Sequence, residues 1–461
     1  IEAINGQAIF VIKPTDYMFP VNAHQLPQFY HHHIPEGSPD LKYAGLPAIS
    51  ALGKPINFPL IATEKNDQFS ILVFSDPQPY EEKHIQYYGK DLIDPLEGNK
   101  VHAFGITLGD IVGDQLDFFD QINAQTARIG LPWFHVIGNH DLNFDATNMQ
   151  HADETFERVY GPSHYALNHG KVHFIVLNNI IYPNHLTNYS YVGGFTEMQL
   201  EFVKNSLTHV PKDHLVVLFM HIPLYNIPEW GTTFIEAHRH ALFALLEDRP
   251  HTFSLSGHMH TQLHHFFGED DGWNGKDQHH HYTVGTASGD WWSGAVKTNG
   301  VPEATMSDGT PNGYNILHFN GNQYSWDYKI TGDNPDQRMR IYGPRVMQKD
   351  KTNRAEFYIN FYQGNEKDQV FYRIGEQDFI PMRKVREQDP YMAAIRAKWD
   401  QAIELPEGVR PSNPSISEHL WKARMPRNLK PGKHLIEVKA QQGEKVFYSN
   451  FEFTQLDHPG Q

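Results

Sequence analysis

Residues 69–80 read FSILVFSDPQPY, and the reading of the fold starts there. A mainly apolar run with β-branched and aromatic character has the pattern of a buried strand, and it stops at once on Ser75, Asp76, Pro77 and Gln78. Asp76 and Gln78 stand two positions apart, so in an extended segment their side chains leave the backbone on the same side. Such a strand end holds something, and the question is what.

The pattern recurs. The run FGITL ends in Gly109 and Asp110, WFHVI in Gly138, Asn139, His140 and Asp141, LVVLFM in His221, and FSLS in Gly257, His258, Met259 and His260. In layered α/β proteins ligands collect beyond the carboxyl ends of the strands, so these five ends are expected to converge. Carboxylate, amide oxygen and imidazole together suit Zn, Mn or Fe better than an all-oxygen calcium site. Seven such side chains are too many for one ion and fit two ions that share a bridge. Glycine before Asp110, Asn139 and His258 lets the chain turn sharply at each of them.

Composition narrows the function. The chain of 461 residues exceeds one ordinary core, which suggests two or three domains. Residues 1–330 carry 17 Lys and Arg against 36 Asp and Glu, a balance of −19, whereas residues 331–461 carry 21 against 18, a balance of +3. An acidic main body argues against nucleic acid as a partner, since that binding rests on basic surface. It also implies that an anionic substrate is neutralised by bound metal. No cysteine is present, which excludes disulfides and thiolate metal sites. No apolar run is long enough to span a membrane. The chain begins at Ile1 and not Met, and a periplasmic or secreted location is the expectation.

Three segments differ in grammar. Residues 1–64 are rich in proline and read as a short strand over 6–14 (GQAIFVIKP) and then an extended strap. The histidines 31–33 within it read as surface and packing residues. Residues 65–330 alternate buried strand runs with helical stretches over 117–129 and 196–207, the second opened by a capping box of Thr196 and Gln199. Residues 331–461 switch to alternating patterns (EFYINFY, KHLIEVKA, KVFYSNFEF) and predict a mostly β, sandwich-like accessory domain with one helix over 391–405.

The ordered set Asp-x-Gln, Gly-Asp, Gly-Asn-His-Asp, His and Gly-His-x-His between Asp76 and His260 resembles the calcineurin-like metallophosphoesterases. The flanking segments resemble bacterial multidomain members with N- and C-terminal accessory domains. The resemblance implies an αββα sandwich over 65–330. It further implies one metal held by Asp76, Gln78, Asp110 and His260, and a second by Asp110, Asn139, His221 and His258, with Asp110 bridging. The ions would be Mn, Fe or Zn. His140 matches the family's histidine that assists the leaving group. The acid that often orients this histidine stands three residues after the bridging aspartate; here that position is Gly113, and Asp114 or Asp141 is the candidate instead.

The implied activity is two-metal hydrolysis of phosphomonoesters or phosphodiesters, in which two ions about 3.5–4 Å apart activate a bridging water and neutralise phosphoryl oxygens. Small-molecule, glycan-linked or lipid-linked phosphate esters are the expected substrates. Trp291 and Trp292, in the glycine-rich run 285–294, either wall a substrate pocket or pack at a domain seam. Two other classes compete: a glycan- or surface-binding protein on a retired scaffold of this kind, and a two-metal hydrolase of another bond such as an amide. Keeping every ligand type together with His140 counts against the first.

Overall fold

The computed structural model describes residues 13–32, 34–49, 57–187, 190–226, 231–332, 334–348, 354–426 and 429–457. The strand expected over 6–14 lies, apart from Lys13 and Pro14, outside them, as does His33 of the histidine triplet. The chain forms two compact units. The first comprises Ile1–His260, His265–Trp291 and Gly313–Asp327, and the second Thr261–His264, Trp292–Asn312 and Tyr328–Gln461. Thr261–His264, Trp292–Asn312 and the residues from Tyr328 to Ile330 therefore belong to the second unit although they precede residue 331, an interleaving that a change of periodicity along the chain does not register.

In chain order the first unit's longer strands are β1 (Gln68–Phe74), β2 (Gly105–Leu108), β3 (Trp133–Val136), β4 (Tyr165–His169), β5 (Val172–Val176), β6 (Leu215–Phe219), β7 (Thr252–Ser256), β8 (Leu263–Phe267), β9 (His279–Thr283), β10 (Gly313–Asn320) and β11 (Gln323–Ile330). The unit boundaries cut β8 and β11. One sheet has the order β11-β10-β1-β2-β3 and the other β8-β9-β7-β6-β5-β4. In the first, β1, β2 and β3 are parallel, and in the second β5, β6, β7 and β9 are parallel. Antiparallel strands β10 and β4 make both sheets mixed.

Alternation explains the layering. Ile71, Val73, Ile106, Leu108, Phe134 and Val136 of the first sheet share one buried cluster with Val172, Phe174, Val176, Val217, Phe219, Phe253 and Leu255 of the second. Those are every second residue, so the two sheets meet face to face. Each fully buried side chain of this kind contributes about 1.5–3 kcal/mol, which makes the sandwich a rigid platform.

The opposite faces carry helices. Phe74 meets Tyr88 of α1 (Glu82–Tyr88) with ring centroids 6.2 Å apart, and the Tyr88 hydroxyl lies 2.8 Å from Thr126 Oγ1 of α2 (Phe119–Thr126). After α3 (Glu154–Tyr160), two helices cover the second sheet. His173 bonds Ser206 of α4 (Glu197–Leu207), and Phe243 of α5 (Glu236–Leu246) packs on His279. The fold is thus the αββα sandwich expected. At the start of α4 the capping box is present, Gln199 N donating to Thr196 Oγ1 and Thr196 N to Gln199 Oε1. Among the described residues no helix is long and apolar enough to cross a membrane.

The second unit is mostly β. Strands β12 (Met339–Tyr342), β14 (Glu356–Phe361), β17 (Arg383–Gln388) and β18 (Ile416–Arg424) form a sheet ordered β12-β14-β18-β17. Strands β13 (Val346–Gln348), β15 (Gln369–Ile374), β16 (Ile380–Pro381), β19 (Gly432–Gln442) and β20 (Lys445–Leu456) form another, ordered β13-β20-β19-β15-β16. Phe357, Ile359 and Trp421 of the former are buried with Val370, Ile436, Val438, Phe451 and Phe453 of the latter, as a sandwich requires. The helix α6 runs Pro390–Asp400, capped by Asp389 Oδ1 on Met392 N. It stops short of the expected residue 405. Pro406 disfavours helical backbone at Leu405, and Ile403 and Leu405 are exposed with nothing to hold a further turn.

Candidate metal centre

The five polar strand ends follow β1, β2, β3, β6 and β7, all of them parallel strands of the two sheets. Asp76, Gln78, Asp110, Asn139, His221 and His260 are all buried, and His258 nearly so. Asp110, His221 and His258 offer ligand atoms within 4.8 Å of one another. Asp110 is the hub: its carboxylate accepts from His140 N at 2.8 Å and lies 3.2 Å from His221 Nε2 and 3.5 Å from Gln78 Nε2. Asn139 Oδ1 is 3.0 Å and His258 Nδ1 3.2 Å from the same His221 nitrogen. Asp76 accepts from His258 N at 3.1 Å, and its Oδ1 lies 3.7 Å from His260 Nε2.

The tautomers follow from what can donate. His221 Nδ1 lies 2.8 Å from the carbonyl of Leu108, and His260 Nδ1 2.8 Å from that of Gly289. A carbonyl only accepts, so each Nδ1 carries the proton and each Nε2 of the neutral ring presents a lone pair. Those lone pairs face carboxylate and amide oxygens, which are acceptors too. Gln78 adds another: its Nε2 donates to the Tyr80 hydroxyl at 3.2 Å, and its buried Oε1 has no hydrogen-bond partner. With the rings in that neutral tautomer, converging oxygens and imidazole nitrogens are what a cation satisfies, and this donor set fits one.

The electrostatics agree. Burial pushes the Asp76 carboxyl up to about 7, with Asp110 beside it adding to the rise against His221. Burial would raise Asp110 as well, but His221 and His140 outweigh it and hold it below the usual carboxylate range. Burial is outweighed again at His221, which Asp110 lifts to about 9. His258 and His260 are pushed down, to about 3 and about 4, chiefly by burial. Without a metal, the pair of buried carboxylates recruits protons onto neighbouring histidines.

Backbone strain marks the same residues. Gln78, Asp76, Asp110, His260 and His258 have φ of 43°, 47°, 49°, 51° and 74°, in the left-handed region that costs of order 1–3 kcal/mol for a residue with a side chain. Glycines make room for them. A Cβ on Gly138 would fall 2.0 Å from Asp110 N, and one on Gly257 2.0 Å from Ser75 Oγ.

Asp114 meets the His140 ring, its Oδ1 2.7 Å from Nδ1. Burial lowers the His140 pKa, but Asp110 and Asp114 outweigh it and bring it to about 9. Asp141 points elsewhere. Its carboxylate accepts from Gly138 N, Val112 N and Ile111 N at 2.8, 3.1 and 3.2 Å, tying together the loops that present Asp110 and Asn139. The Asp141→Ala variant leaves three buried N–H groups unpaired and is expected to lose about 3 kcal/mol or more of stability in urea unfolding. A loss under about 1 kcal/mol would show that those groups find other partners.

The two tryptophans part ways. Trp291 is 46% exposed and its ring lies 4.6 Å from that of the ligand candidate His260, whereas Trp292 is fully buried and belongs to the second unit. Other residues at the site carry no motif in the sequence. Tyr80 bonds Gln78 and turns an edge to His140, Tyr191 lies beside His258, and Ser288 Oγ donates to the Asp76 carbonyl. Tyr80 stands in the stretch that carries Gln78, and Ser288 and Gly289 in the glycine-rich run that carries the two tryptophans, so proximity along the chain is the available signal.

Comparison with known proteins decides the family. A family model described as "Calcineurin-like phosphoesterase" matches residues 69–262, and one described as "C terminal of Calcineurin-like phosphoesterase" matches 281–445. The chain belongs to the calcineurin-like metallophosphoesterases. Its metallophosphoesterase domain holds all seven ligand candidates, and the domain after it is the family's C-terminal one. Among solved structures it is similar to a dimetal phosphatase from Danio rerio, with 14% identity, 58% of this chain and 97% of that chain covered, and a TM-score of 0.39. Purple acid phosphatase PPD1 from seeds of yellow lupin (Lupinus luteus) has 13% identity, 59% and 55% coverage and a TM-score of 0.41. A metallophosphoesterase from Sphaerobacter thermophilus has 14% identity, 57% and 90% coverage and a TM-score of 0.28. No curated protein matches the chain significantly.

Proposed function

We propose that this metallophosphoesterase hydrolyses phosphate esters, monoesters or diesters, at a two-metal centre. The observation that supports the reading is the buried convergence of carboxylate, amide-oxygen and imidazole groups around Asp110. Asp76, Gln78, Asp110 and His260 would hold one ion and Asp110, Asn139, His221 and His258 the other, with Mn, Fe or Zn suited to the mixed oxygen and nitrogen set. Bound there, the ions would lower the pKa of water and neutralise phosphoryl oxygens.

The chain's own residues do the rest. Asp114 accepts from His140 Nδ1 and so fixes the ring, which leaves Nε2 to carry a proton toward the departing oxygen. The sandwich holds the ligand loops still, and their burial keeps bulk water from competing for the oxygens. The test is hydrolysis of nitrophenyl phosphate and bis(nitrophenyl) phosphate after loading with Mn²⁺ or Zn²⁺. Turnover of either supports the reading, and none from a metal-loaded chain contradicts it.

Gln78 supplies a neutral amide oxygen where an imidazole would bind a borderline metal more strongly. The Gln78→His variant is therefore expected to tighten zinc at the first position and to narrow the preference for manganese, read by competition with a chelator. Unchanged affinity would remove Gln78 from the ligand set.

A further inference from the structure

We propose that Trp291 is a stacking platform for a flat aromatic ring carried by the phosphate ester, a nucleobase or an aryl group. This rests on the phosphoesterase reading above. A phosphate engaged at the metal centre leaves its organic group at the rim, and Trp291 stands at that rim, its indole 4.6 Å from the His260 ring at an interplanar angle of 30°. Among the described residues it is the only exposed tryptophan, while Trp133, Trp292 and Trp421 are buried. Its φ of 53° holds the ring there at the cost of backbone strain.

The rest of the rim is aromatic too. Tyr80 and Tyr191 each lie edge-on to a histidine of the site, His140 and His258, with ring centroids 6.0 Å apart in both pairs. Aromatic rings thus flank the site's histidines, and recognition of the organic group falls to them. A quaternary ammonium also binds to indole, but it is best held where several rings converge. Here the three rings stand against three different histidines, and the exposed ring of Trp291 offers a flat face that suits a planar partner.

The experiment compares the wild type, Trp291→Ala and Trp291→Phe on adenosine monophosphate, glycerol phosphate and choline phosphate, with metal content measured for each. The alanine variant is expected to lose about 10- to 100-fold more kcat/KM on adenosine monophosphate than on glycerol phosphate, mostly through KM, and the phenylalanine variant to recover most of it. Losses that agree within about threefold on all three substrates, or a selective loss on choline phosphate, would overturn the proposal. If the alanine variant loses metal, the phenylalanine variant carries the comparison. A wild type that hydrolyses none of the three and neither nitrophenyl ester would fail the phosphoesterase reading alone, and calorimetric binding of adenosine monophosphate against glycerol phosphate to the metal-loaded chain would still read the platform.

Discussion

The Asp110→Asn variant is expected to lose at least about 100-fold in metal affinity, more than the 10- to 100-fold that follows loss of a residue merely supporting a ligand, and to lose hydrolysis with it. Asp110 is 2% exposed and sits between Gln78, His140 and His221. An amide there has one oxygen to share in place of two and no charge to offset two cations. In the metal-free chain Asp110 is held ionised by His221 and His140, so neutralising it leaves those buried histidines without their partner and is expected to lower the melting temperature. The rise in melting temperature on adding Mn²⁺ or Zn²⁺, which follows from binding to the folded state alone, should disappear. A variant that keeps that rise would show that Asp110 does not bridge.

His140→Ala is expected to lower kcat by about 10²- to 10⁴-fold while metal content stays at the wild-type level. The ring makes no contact that would hold an ion; its Nδ1 goes to Asp114 and its backbone N–H to Asp110. The expected loss therefore comes from the proton it carries. Asp114→Asn should give a smaller loss of the same kind, since an asparagine can still hold the ring while stabilising its charged form less. Loss of metal in His140→Ala would instead make this histidine part of the ligand shell.

Much of the site was legible from the chain alone. The five strand ends were readable because a buried strand advertises itself as an unbroken apolar run. The structure brings Asp76, Gln78, Asp110, Asn139, His221, His258 and His260 to one place, but Asp76 and Gln78 do so through left-handed backbone and not through the extended segment expected of them. Asp114 and Asp141 were both open as partners of His140. Only the turn after β2, with Asp114 at φ 69°, decides that the former reaches the ring.

What stayed hidden depended on contacts far apart in the chain. Nothing in the sequence says that the carbonyls of Leu108 and Gly289 fix the tautomers of His221 and His260. Adjacent Trp291 and Trp292 look alike as letters, yet one ring is exposed and the other buried in a different unit. The interleaving of the two units through Thr261–His264 and Trp292–Asn312 is equally a matter of tertiary packing, because short loop excursions carry no periodicity of their own.

Elemental analysis of the chain after reconstitution with Mn²⁺ or Zn²⁺ and removal of free metal tests the central claim most directly. Two ions per wild-type chain, with a clear deficit in Asp110→Asn, is the predicted result. Less than one bound ion per wild-type chain would contradict it.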